Sequence, residues 1–189
     1  YTNLALSQTD LMGEWLFHFY QPGSAGLFLP ATQESTPLMI TFSNEVFFYL
    51  GDLNMAQHAS MLGMVFSQYH RSSRLVKRLA EIHIAIGDAP AAGKYLGLLE
   101  KTLFYRKWAI KARELNDLEN IPLREKIPSI DTVRLADDYI TSLEILLQSN
   151  PENKTALDYL LCYHILNKDI PSFRQANHKW VHPSDVRIP

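Results

Sequence analysis

The feature that most limits how this chain can fold is a turn written twice. Leu50-Gly51-Asp52-Leu53-Asn54-Met55-Ala56 returns 36 residues later as Ile86-Gly87-Asp88-Ala89-Pro90-Ala91-Ala92. In each copy an apolar residue precedes Gly-Asp, and an alanine stands five positions after the glycine. Glycine readily takes the left-handed conformation that ends a helix. Aspartate accepts hydrogen bonds from the first free N–H groups of the next helix. Two helices joined so tightly approach closely near the joint, so Ala56 and Ala92 fit where leucine would hold them apart. A weaker third copy is Lys168-Asp169-Ile170, with Phe173 in place of the alanine and Pro151 standing 17 residues before Lys168.

The rest of the chain supplies helices for these turns. Apolar residues at helical spacing run from Ser43 to Leu50, from Ala56 to about Ser67, and through Leu75, Val76, Leu79, Ile82 and Ile86. Asp52 or Asn54 caps the second of these and Ser72 or Ser73 the third, while Pro90 suits the first turn of a fourth. Further helices are expected over 11–20, 105–115, from Asp131 to about Gln148, over 155–166 and over 171–179. Asn150-Pro151-Glu152-Asn153 reads as a turn, and the tail from His182 as irregular. Sustained alternation is absent, which argues against strands. The expectation is one all-α domain over 1–189: a partial N-terminal unit (1–20), a loop (21–40), two hairpins (41–115), a linker (116–131) and C-terminal helices (132–180).

At this point the chain resembles the tetratricopeptide family, through Gly51, Asp52 and Ala56, then Leu79, Ala80, Gly87, Asp88 and Ala92, then Pro151 and Asp169. That family repeats every ~34 residues; the spacing of 36 here marks divergent copies. The resemblance implies hairpins stacked as a short right-handed solenoid. A second resemblance rests on the run from Arg74 to Glu81, on Lys94-Tyr95-Leu96, on the run from Lys101 to Ala109, and on Tyr1-Thr2-Asn3-Leu4-Ala5-Leu6 and His18-Phe19-Tyr20-Gln21-Pro22-Gly23. These segments are similar to the C-terminal soluble region of a family of large Bacteroidetes polytopic membrane proteins of unknown function. That similarity implies an excised part of an inner-membrane protein, and it brings no catalytic residues.

Charge is distributed unevenly. From Arg71 to Arg113 ten Lys or Arg face three acids, whereas from Glu114 to Asn153 three bases face nine acids. The total of −2 argues against general nucleic-acid binding. The basic stretch either pairs internally with neighbouring acids or meets an acidic partner or anionic headgroups. No apolar run reaches the ~18 residues that span a bilayer, and the opening Tyr1-Thr2-Asn3 suggests a trimmed or processed product.

The seven histidines form no metal-binding motif. Glu81 and His83 point apart on a helix, and His178 and His182 sit at a helix end. Cys162 lies in the apolar run Leu160-Leu161-Cys162-Tyr163 and reads as an inert buried thiol. Catalytic, cofactor and metal residues are therefore not assigned. Phe104, Tyr105 and Trp108 read as a packing cluster with a solvated basic face, and Arg74, Lys77, Arg78, Tyr105, Arg106 and Trp108 as the candidate partner-binding residues. The expected role is a protein- or peptide-interaction module, the partner including the parent's own membrane region or an anionic lipid surface. The alternative is an accessory lobe of a membrane-embedded lipid- or glycan-modifying transferase.

Overall fold

The computed structural model describes residues 2–66, 72–115 and 138–181. The expected linker 116–131, the cap at Asp131 and the tail from His182 lie outside them. Among the described residues there are ten α-helices and no strand. They group into two compact units.

One unit comprises, of the described residues, 30–48, 53–66 and 72–115. It contains α3 (Pro37–Leu50, whose last two residues group with the other unit), α4 (Leu53–Phe66), α5 (Ser73–Ala85), α6 (Ala89–Leu99) and α7 (Arg106–Leu115). Within it α4 packs on α5, α5 on α6 and α6 on α7. Asn44 Nδ2 on α3 donates to the Ala56 carbonyl on α4 at 2.7 Å and to Ser60 Oγ, and Ala56 itself is fully buried. Gly63 marks a second tight crossing: a Cβ there would stand 2.7 Å from Leu75 Cδ1 and 3.3 Å from Ile40 Cγ2. Val76, Ala80, Leu96, Leu99 and Ala109 form the core between α5, α6 and α7.

The other unit comprises 2–29, 49–52 and 138–181 of the described residues. It contains α1 (Thr2–Ser7), α2 (Met12–Trp15), a 3-10 turn (Gly23–Gly26), α8 (Tyr139–Ser149), α9 (Lys154–Leu166) and α10 (Ile170–Trp180). Helix α9 is its centre: α1, α2, the 3-10 turn, α8 and α10 all pack against it, and it buries Ala156, Tyr159, Leu160, Leu161 and Cys162. Phe28 stacks on Tyr139 at 4.3 Å and meets Tyr159 edge-on at 5.4 Å.

The three turns read from the sequence share one geometry. A hydroxyl or amide oxygen accepts from the third N–H of the first helix: Thr36 from Met39 (3.3 Å), Ser72 from Leu75 (3.4 Å) and Asn153 from Ala156 (3.1 Å). Fifteen positions after each cap stands a residue with positive φ: Gly51 (87°), Gly87 (78°) and Lys168 (59°). The next residue is Asp52, Asp88 or Asp169, and the second helix begins directly after it. Asp88 accepts from Ala91 N and Asp169 from Ser172 N, both at 3.1 Å. The Asp88 and Asp169 amides each donate to a carbonyl five residues back, His83 and His164, at 2.9 Å. Helices α9 and α10 thus repeat the bounds of α5 and α6 at an offset of 81 residues.

Two expectations are corrected. The helix expected over 11–20 shrinks to Met12–Trp15, with Gln21 holding the following chain through bonds to Asn3 (3.0 Å) and the Leu16 carbonyl (2.9 Å). Helix α3 begins at Pro37, ahead of Ser43, because proline opens a first turn without loss. Helix α8, which ends at Ser149, starts at Tyr139 and is capped by Asp138, which accepts from Ile140 N and Thr141 N.

Candidate interaction site

The basic stretch folds onto a buried acid that the sequence alone does not single out. Glu45 lies in the apolar run of α3, is 7% exposed, and takes two guanidinium groups from α5. Its Oε1 accepts from Arg74 Nε (3.3 Å) and Nη2 (3.0 Å). Its Oε2 accepts from Arg78 Nη2 at 2.5 Å. Arg78 Nη1 reaches Glu81 Oε2 at 3.0 Å, and Glu81 Oε1 accepts from Lys77 Nζ. Arg74, Lys77, Arg78 and Glu81 share one face of α5 because they recur at helical spacing of three or four.

Aromatic rings complete the arrangement. The Arg78 guanidinium lies 3.5 Å from the Phe48 ring centroid, and Lys77 Nζ lies 4.6 Å from that of Trp108. A guanidinium stacked on a ring and forked onto two carboxylates is held by geometry that lysine does not reproduce. Arg78 is only 8% exposed, so it is committed to this network and does not present itself to a partner.

The six candidate residues therefore divide. Arg78 is internal, Lys77 is drawn toward Glu81 and Trp108, and Tyr105 and Trp108 pack against the core of α5, α6 and α7. Arg74 keeps 55% of its side chain exposed, and Arg106 is exposed. Phe104 departs from the expected packing cluster and stands 86% exposed. The turn residues do structural work: Gly51 and Gly87 take left-handed backbone, Asp52, Ala56 and Ala92 are buried, and Pro151 lies in the exposed turn between α8 and α9. Glu45 carries one sequence signal, an acid in the middle of an apolar helix, which asks for a buried cation.

Two histidines recur at the hairpin turns. His83 Nδ1 stands 3.3 Å from Asp88 Oδ2, with its ring stacked on Tyr95 at 5.3 Å, and His164 Nδ1 stands 4.0 Å from Asp169 Oδ2. Hydrogen bonds from the Ser172 side chain and backbone hold the Asp169 carboxyl below the ordinary range, with His164 adding to them against a small desolvation. Burial, with Asp158 nearby, pushes the Cys162 thiol up to about 12, so it is a protonated core group at neutral pH. Among the described residues no group of His, Cys, Asp or Glu is placed to hold a metal ion, and no helix is long and apolar enough to cross a membrane.

No match is found among curated proteins or solved structures. A family model does match, over residues 1–187, and the chain thus belongs to the family of unknown function DUF6057.

Proposed function

We propose that this chain is a protein- or peptide-interaction module, the soluble C-terminal part of a Bacteroidetes inner-membrane protein, in which tetratricopeptide-like hairpins α3–α4 and α5–α6 stack in a right-handed sense. The observation that carries the reading is the recurrence of cap, left-handed residue and aspartate at one spacing. Stacked hairpins of this kind serve chiefly to present an extended surface. The partner that suits the surface is acidic. Helices α6 and α7 expose Lys94, Arg106, Lys107 and Lys111, and Glu100 is already held by Arg113 at 2.6 Å.

Selection of a random peptide library on the immobilised chain tests this. Acidic peptides should be enriched, and Arg106→Ala with Lys111→Ala, both exposed, should reduce their capture while the melting temperature stays within a few degrees. A library that yields no enrichment, or enrichment that ignores both substitutions, overturns the reading.

A further inference from the structure

The six-residue connection from α6 to α7 turns two large apolar side chains out into water. Leu103 is 88% exposed and Phe104 86%. The turn is ordered by its own hydrogen bonds. Thr102 N and Oγ1 both donate to the Leu99 carbonyl, at 2.9 and 2.7 Å, and Thr102 Oγ1 accepts from Tyr105 N at 3.3 Å. The Tyr105 carbonyl accepts from Ala109 N at 2.9 Å and opens α7. The backbone that displays the pair is thus fixed, and nothing in it requires apolar residues at either position.

Cations frame the pair. Lys101 precedes it, Arg106 and Lys107 follow it, and all three are exposed. Between Lys94 and Arg113 the one acid is Glu100, which Arg113 holds. The chain as a whole is −2, so attraction to an anionic surface must be local to such a patch. An apolar pair alone prefers no charged surface, and three cations alone hold one weakly. Together they supply the two signals that interfacial membrane binding needs. Long basic side chains also keep their charge at the headgroups while their stems follow the apolar residues inward.

We infer that the α6–α7 turn is a membrane-contacting tip: Leu103 and Phe104 enter the interfacial layer of an anionic bilayer, and Lys101, Arg106 and Lys107 engage headgroup phosphates. The inference stands apart from peptide binding, since it turns on Leu103 and Phe104, which the peptide reading does not use.

Co-sedimentation of the chain with vesicles tests it, comparing phosphatidylcholine alone with phosphatidylcholine containing phosphatidylglycerol. Binding should require the anionic lipid and weaken with added salt. Phe104→Asp should lower the partition coefficient about tenfold or more, and Lys101→Glu with Lys107→Glu should lower it comparably. Both sites are exposed, so the thermal melt should not move. A polarity-sensitive dye on Leu103→Cys, selective because Cys162 is buried, should shift to the blue on binding. Absence of binding to anionic vesicles, binding indifferent to Phe104→Asp, or a dye that stays in water each overturns the inference. Loss on the lysine reversals alone would identify a purely electrostatic contact, for which an acidic protein is the better occupant.

Discussion

Asn153 donates from Nδ2 to the carbonyl of Leu50, 2.8 Å away and 103 positions earlier in the chain. The same side chain accepts through Oδ1 from Ala156 N at 3.1 Å and is wholly buried. One amide therefore caps the start of α9 and satisfies a carbonyl at the end of α3 beside the left-handed Gly51. Terminal carbonyls of a helix have no intrahelical donor, and a buried one left bare is costly.

Two substitutions separate the halves of that role. Asn153→Asp keeps the acceptor for Ala156 and loses the donor to Leu50. Asn153→Ala loses both. By chemical denaturation Asn153→Ala should cost about 2–4 kcal/mol, the sum of a lost cap and an unsatisfied buried carbonyl. Asn153→Asp should also be destabilising, because it buries a carboxylate facing a carbonyl oxygen. If Asn153→Asp matched the parent, the Leu50 contact would carry no weight.

The Glu45–Arg78 pair should respond asymmetrically. Both groups are under 9% exposed, so removing one leaves the other desolvated. Arg78→Met should cost about 3 kcal/mol, and Arg78→Lys should recover only part of it, since an ammonium cannot fork onto Glu45 and Glu81 while stacking on Phe48. The double variant Glu45→Gln with Arg78→Met should cost less than the two single changes added. Equilibrium unfolding of all four proteins reads this coupling, and strict additivity would contradict it.

The glycines give predictions of opposite sign. Gly93 lies inside α6, and a Cβ added there would meet nothing within 4 Å, so Gly93→Ala should stabilise by about 0.5–1 kcal/mol through helix propensity. Gly87 has φ of 78°, and Gly87→Ala should destabilise by about 1 kcal/mol even though space is open there. Gly63→Ala gains the same propensity as Gly93→Ala but must displace Leu75, so it should be clearly less favourable than Gly93→Ala. Melting temperatures ranked in any other order would overturn the assignment of strain.

These contrasts also show what is legible in the sequence. The Gly-Asp turns are, because a left-handed residue and a cap are set by neighbours a few positions away. The start of α3 is not, because Pro37 has the look of a breaker yet occupies the first helical position, where proline is favoured. Glu45 stays hidden because its partners lie 29 and 33 residues on and meet it only after α3 and α5 pack. Phe104 has the composition of a core residue, and only the course of the α6–α7 turn exposes it. Local conformation is written locally; the pairing of charges and the exposure of apolar groups depend on tertiary packing.

Acid should weaken α8 through Asp138. Desolvation tends to raise its pKa, but bonds from the Thr141 side chain and from the backbone of Thr141 and Ile140 prevail and hold it below the ordinary 3.8. Because the folded value lies below the unfolded one, the unfolded chain binds the proton more readily. The stabilisation is therefore full above the unfolded pKa and is lost as pH falls through the folded one. Asp138→Asn keeps an acceptor for the cap but cannot titrate, so its stability relative to the parent should improve as pH drops from 7 towards 3. Asp138→Ala should cost about 1 kcal/mol at pH 7 and less at pH 3. Denaturation midpoints at the two pH values measure both differences, and a gap between parent and Asp138→Ala that did not narrow in acid would remove Asp138 from the capping role.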